Sequence, residues 1–251
     1  MKLAVGFCLI LLVFGLAKGQ EPIQTPVPIR EEVIVTAARV ETRIGDTPAS
    51  VVTFSRVEID SSAAPTIDDT LRQSAGFSIF RRSSSRNANP TTQGVSLRGV
   101  GASGASRSLV LLDGVPLNDP FGGWVQWNRV SPITVGDVEI LRGGASSLYG
   151  DSSLSGAINV IPRRIEEKFT VSADVFGGTQ GTFSGSGFGG FKAGGWTADL
   201  AAASFQTKGF IPVDEAVRGP VDVYAGVRSS SFTSKFVRDL GKNASVFIRP
   251  S

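Results

Sequence analysis

Three groups of residues in this sequence have the types and spacing to do chemistry. The first is a set of donors and aromatic faces in two long, polar connections: Arg81, Arg82, Arg86, Asn87 and Asn89 between Arg81 and Gly94, and Trp124 and Trp127 between Leu117 and Asn128. Guanidinium and carboxamide groups donate to anionic or polyhydroxylated partners, and indole rings offer stacking surfaces. Long loops inside a compact domain usually bind something or move. The second is Gly99-Val100-Gly101-Ala102-Ser103-Gly104, which fits the dinucleotide pattern G-x-G-x-x-G. That pattern must open a helix, and Ser108 to Leu112 reads as another strand, so no nucleotide cofactor is expected. The third is Glu31 to Ala37, a short β-prone run whose backbone has no hairpin partner nearby and is free to add to another protein's sheet edge. Its competing reading is the first strand of the domain that follows.

What is missing narrows the chemistry further. Histidine is absent and Cys8 is the sole cysteine. Ser-His-Asp and Cys-His catalysis, His metal ligation and the common neutral-pH proton shuttle are thereby excluded. No pair of acids stands in a glycosidase-like context, so no enzyme and no resident metal are expected. Formal net charge is +3, falling to +1 once Lys2 and Lys18 depart with a leader, which argues against a nucleic-acid partner.

These residues must be positioned by something, and the chain divides into four segments. Residues 1–19 read as a secretory signal peptide: Met1-Lys2, an apolar run from Leu3 to Leu16, then the small residues of Ala17-Lys18-Gly19. The apolar run is shorter than the ~20 residues a membrane-spanning helix needs. Residues 20–46 form a flexible leader, in which Pro22, Pro26 and Pro28 bias the backbone to an extended, solvated form.

Residues 47–165 read as an α+β unit. Strands are expected at Val51–Phe54, Phe77–Phe80, Val95–Arg98, Ser108–Leu112, Val138–Arg142 and Ala157–Ile161, with Asp113-Gly114 supplying a turn. Thr66 and Asp69 open a short helix with Ile67 and Leu71 on one face, and Gly76 stops it. From 166 to 251 the texture becomes runs of alternating polarity, as in membrane-spanning strands. Phe169, Val171, Ala173 and Val175 oppose Thr170, Ser172 and Asp174; Trp196, Ala198, Leu200 and Ala202 oppose Thr197 and Asp199; Ala244, Val246 and Ile248 oppose Ser245, Phe247 and Arg249. Gly181 to Phe191 and Val227 to Arg238 alternate less clearly, for about five strands in all. A membrane barrel needs at least about 8, so the barrel is incomplete within this sequence. Short turns at Lys192–Gly195 and Asp239–Asn243 and a long connection at Thr207–Gly226 match the outer-membrane habit of short periplasmic and long external loops.

Taken in order, these segments carry a likeness. Glu32-Val33-Ile34-Val35-Thr36-Ala37, Val95-Ser96-Leu97-Arg98-Gly99, Leu109 through Leu117, Val138 through Gly143, Ser146 through Gly150 and Gly156 through Ile161 together resemble the N-terminal part of TonB-dependent outer-membrane receptors. The resemblance implies a signal peptide, a TonB box at 31–37, a plug domain and the first antiparallel strands of a transmembrane β-barrel. It implies energy-coupled uptake of a scarce nutrient, most often a siderophore-iron complex or cobalamin, in the bacterial outer membrane. The partners it implies are TonB at the box, outer-membrane lipid and an extracellular metal chelate or similar ligand. Arg98, Glu139 and Arg142 match plug positions that in the family pair with the barrel wall, although ordinary edge-strand charges would look the same. Arg81, Arg82, Arg86, Asn87, Asn89, Trp124 and Trp127 would face the ligand, unless the tryptophans pack the plug against the barrel and the arginines are solvated. The competing classes are a truncated, inactive receptor fragment and a passive pore or adhesive secreted β protein.

Overall fold

The plug sheet is built on strands too apolar to be left in water. A computed structural model describes residues 33–34, 42–43, 49–81, 83–99, 104–241 and 244–250. Strands β3 (Ser50–Phe54), β6 (Ser108–Leu112), β7 (Val115–Pro116), β8 (Val135–Arg142) and β9 (Gly156–Pro162) form one sheet in the order β3-β8-β9-β6-β7. The β6–β9 pairing is parallel and the others are antiparallel. Val110, Ile140 and Ile158 are fully buried at its centre, where they meet Trp127, Leu97, Ile67 and Leu71 in one core.

Two short helices cover that core. In α1 (Arg56–Ser61), Ser55 and Glu58 form a reciprocal capping box, and in α2 (Ile67–Leu71), Thr66 Oγ1 donates to Asp69 at 2.9 Å. The S-x-x-E signal for α1 is present in the sequence, but six residues are too few to show a helical period. A two-stranded sheet, β4 (Ser78–Ile79) with β5 (Val95–Ser96), ties the Arg81 loop to the core from below. A further short helix, α3 (Ser146–Tyr149), follows β8.

Five long strands then form an antiparallel meander: β10 (Phe169–Gly178), β11 (Thr182–Ala193), β12 (Trp196–Thr207), β13 (Val227–Asp239) and β14 (Ser245–Ile248). Paired positive φ angles at Gln180-Gly181 and Gly194-Gly195 make the tight turns between β10, β11 and β12, as Asp113-Gly114 does between β6 and β7. The register aligns one outward row across the sheet, Phe169-Phe191-Ala198-Phe236-Ile248, with the Phe169 and Phe191 rings 5.2 Å apart. Trp196, with the Arg238 guanidinium 4.9 Å from its ring, ends this apolar band at the short-turn side, where interfacial aromatic and basic residues belong. Gly181–Phe191 and Val227–Arg238 alternate as well as their neighbours once paired. Glycine on the outward face of β11 and serine on both faces of β13 obscure the pattern in the sequence.

The N-terminal strand departs from expectation. Strand β1 (Val33–Ile34) pairs antiparallel with β2 (Thr42–Arg43), Val33 opposite Arg43 and Ile34 opposite Thr42. A hairpin partner therefore exists eight to ten residues on, because unpaired strand N–H and C=O groups capture whatever edge is near. The pair forms its own sheet and does not join the plug sheet. Glu32, Val35, Thr36 and Ala37 lie outside the described residues.

Candidate functional site

The plug docks on the inward face of the strand wall, and this contact is where charge and apolar surface converge. Ile133 and Ile165 of the plug pack on Phe188 and Ala201 of the wall in a small buried cluster. A Cβ on Gly190 would lie 2.2 Å from the Ile165 side chain, so any larger residue there would have to push Ile165 aside. Beside it, Arg163 donates to Ser172 Oγ at 2.7 Å and its guanidinium lies 5.1 Å from the Phe188 ring.

The ionic centre of the interface is Asp113, in the β6–β7 turn. Its carboxylate accepts from Lys235 Nζ of β13 at 2.6 Å and from the guanidinium of Arg249, the residue after β14. Burial alone would raise this carboxyl, but the hydrogen bond and charge of Lys235, joined by Arg249, more than offset it and hold the group below the ordinary carboxylate range. Asp199 of β12 stands directly opposite Lys235 in the ladder and balances the cluster's charge. The sequence reading saw Asp113 only as a turn residue. The missed signal is a lone acid after the apolar run Leu109–Leu112, matched by Lys235 in an otherwise serine- and threonine-rich inward row.

The residues expected to contact a ligand separate into three groups. Trp127 is 1% exposed within the plug core, so its stacking face is spent on packing. Arg81 is buried against Asp68, which also accepts from Ser85 at 2.8 Å, and so cannot reach a ligand. Burial pulls its guanidinium down to about 10, which leaves it charged at neutral pH. Asn89 accepts from the Thr91 backbone and hydroxyl at 3.1 and 3.0 Å, holding its own loop. Asn87 is exposed and Trp124 half-buried, while Arg82 lies outside the described residues. Arg86 stacks 4.2 Å over Phe205 near the long-connection end of the wall and donates to Pro65 O at 2.8 Å.

Glu139 and Arg142 lie on β8, and Arg98 follows β5. Arg142 donates to Ser74 Oγ at 2.9 Å, inside the plug. Arg98 is exposed and held at positive φ, with its guanidinium over Gly143, and Glu139 is buried on β8. Among the described residues, ion pairs of Asp113 join plug to wall. Among the described residues, no group of three or more acidic side chains converges where a metal ion could sit.

An α/β plug seated on the inner face of a strand wall, with the wall's apolar face turned outward, defines a plugged outer-membrane barrel. Residues 43–157 match the TonB-dependent receptor plug domain. The chain therefore carries, over residues 43–157, the plug domain of a TonB-dependent receptor. It is 31% identical over 146 residues to the vitamin B12 transporter of Vibrio cholerae, a match spanning 57% of this chain and 23% of that protein. It is 27% identical over 176 residues to the ferrienterobactin receptor of Escherichia coli, covering 65% of this chain and 22% of the relative. The fold matches the ferripyoverdine receptor of Pseudomonas aeruginosa with a TM-score of 0.65 at 18% identity, over 87% of this chain and 27% of the other. The alcaligin receptor of Bordetella pertussis gives 0.62 at 19% identity, over 86% and 34%. The chain spans less than a quarter of the length of these two curated relatives. Those relatives are transporters and receptors rather than enzymes, and the chain is an outer-membrane protein.

Proposed function

We propose that this chain supplies the coupling strand, the plug and the first wall strands of a receptor that takes up a scarce nutrient, a siderophore-iron complex or cobalamin, at the expense of the proton-motive force. The observation that carries this reading is the plug sheet seated on an inward wall face, with a β-competent segment placed on its N-terminal side. In that arrangement the plug blocks the pore, and no covalent chemistry is needed to open it. TonB captures Glu32–Ala37 by strand addition, replacing the two-residue pairing with Thr42–Arg43, and pulls. A two-residue ladder is a weak competitor, since each such bond contributes only about 0.5–1.5 kcal/mol net. The protein is a transporter and not an enzyme.

Among the polar loop residues, the exposed Asn87 and the half-buried Arg86 are the ones proposed for ligand contact. Arg86 keeps part of its donor set beyond Pro65, and its cation sits on an aromatic face near the external end. Removal of the signal peptide, residues 1–19, by cleavage after Gly19 and export to the outer membrane precede assembly. Cells producing the protein should accumulate radiolabelled vitamin B12 or ferrienterobactin, and a protonophore should abolish accumulation while leaving surface binding intact. Accumulation of neither cargo, or accumulation insensitive to the protonophore, would contradict energy-coupled uptake of these classes.

A further inference from the structure

The plug meets the wall in two different ways. In the rows nearer the short turns, contact is tight: Phe188 and Ala201 pack on the plug, and one row further the Asp199–Lys235 pair meets Asp113. In the rows nearer the long connection the wall is serine. Ser184, Ser186, Ser229 and Ser231 line a cavity of about 240 Å³ that separates it from the plug. Asp174, Ala203 and Phe205 interrupt the serines and Arg86 of the plug lies on Phe205, but a mostly serine face offers little apolar burial, so the plug is held less firmly at this end.

Asp113 is the charged group at the held end. It lies on the β6–β7 edge of the plug sheet, opposite the β3 edge through which the N-terminal segment connects. Positive φ at Asp113 and Gly114 fixes the turn that presents the carboxylate. Two wall cations share this acid, and its removal leaves them to Asp199 of the wall with no charge partner on the plug, an arrangement that disfavours docking. We propose that Asp113 is the ionic anchor that fixes the β6–β7 edge of the plug to the β13–β14 wall, so that the plug rearranges about this contact and not away from it. The inference rests on the uptake function proposed above only for what happens under load; the anchor itself is a property of the resting protein.

Cysteine accessibility tests it, because Cys8 is the sole native cysteine. Leu112 borders the anchor and Val52 lies on β3; both are half-buried against the core. With Leu112→Cys in the outer membrane, Asp113→Asn should raise labelling by a small water-soluble maleimide several-fold, and Asp113→Glu should not. Asp113→Lys combined with Arg249→Asp, which leaves Lys235 opposite Asp199, should restore protection, a rescue that a merely structural turn residue would not show. Unchanged labelling in Asp113→Asn, or failure of the charge exchange in a protein that still protects Val52→Cys, overturns the anchor. In energised cells given vitamin B12 or ferrienterobactin, Val52→Cys should become reactive while Leu112→Cys stays protected. Equal exposure of both would show that the plug leaves the wall and would overturn the proposal. If neither cargo exposes Val52→Cys, the uptake reading fails while the resting comparison still decides the anchor.

Discussion

Trp127 and Trp124 differ by three positions and by everything that matters to their role. Trp127 is enclosed by the plug core, whereas Trp124 is half-buried with its ring against Gly122, where an added Cβ would lie 1.5 Å from it. Trp127→Ala should therefore destabilise the plug by about 3–5 kcal/mol, as a large core truncation does. Trp124→Ala should cost clearly less, and chemical denaturation of the purified protein followed by tryptophan fluorescence would compare them. No sequence feature separates the two residues, because burial of an indole is decided by what packs around it. The pH dependence of the Asp113 contact is also fixed at this scale. Its folded pKa is lowered, so its stabilising contribution is present above the ordinary carboxylate range and lost as pH falls through the folded value. Protection of the β6–β7 turn should accordingly weaken in acid, and an increase in protection on acidification would contradict the ion-pair assignment.

At the scale of elements, alternation along a strand was legible wherever both faces carried distinct residue types. Trp196 to Ala202 against Thr197 and Asp199 is such a case, and the structure keeps that register. Strand β11 was harder, because Gly185, Gly187 and Gly189 occupy the outward row where Val or Leu would have declared it. The outward row predicts its own mutational response. Leu200→Arg, on the lipid side, should cost about 2–4 kcal/mol if it lies near the bilayer midplane. Ser186→Arg, on the inward side beside the serine-lined cavity, should cost much less. Folding yields into lipid vesicles would compare the two, and equal losses would mean that the two faces were assigned wrongly. Contacts between elements far apart in sequence were not legible. Asp113 and Arg249 are 136 positions apart, and only the docking of plug on wall brings them together.

For the molecule as a whole, the order of segments was the readable feature: box, plug, then wall. What the order leaves open is how a pull on the first reaches the second, and the pairing of Val33–Ile34 with Thr42–Arg43 adds a competitor that strand propensity alone does not reveal. The central claim is that Val33 to Val35 acts by donating its backbone to TonB. Proline removes a backbone donor and so breaks strand addition without adding charge. The most direct measurement is surface binding and energised accumulation of the same cargo in cells producing Ile34→Pro and, separately, Arg43→Pro, each of which disrupts the internal pairing while only the first alters the box. The account predicts that Ile34→Pro binds cargo normally and accumulates none, while Arg43→Pro accumulates it at least as well as the unaltered protein. Accumulation by Ile34→Pro, or its loss in both variants, would contradict the account.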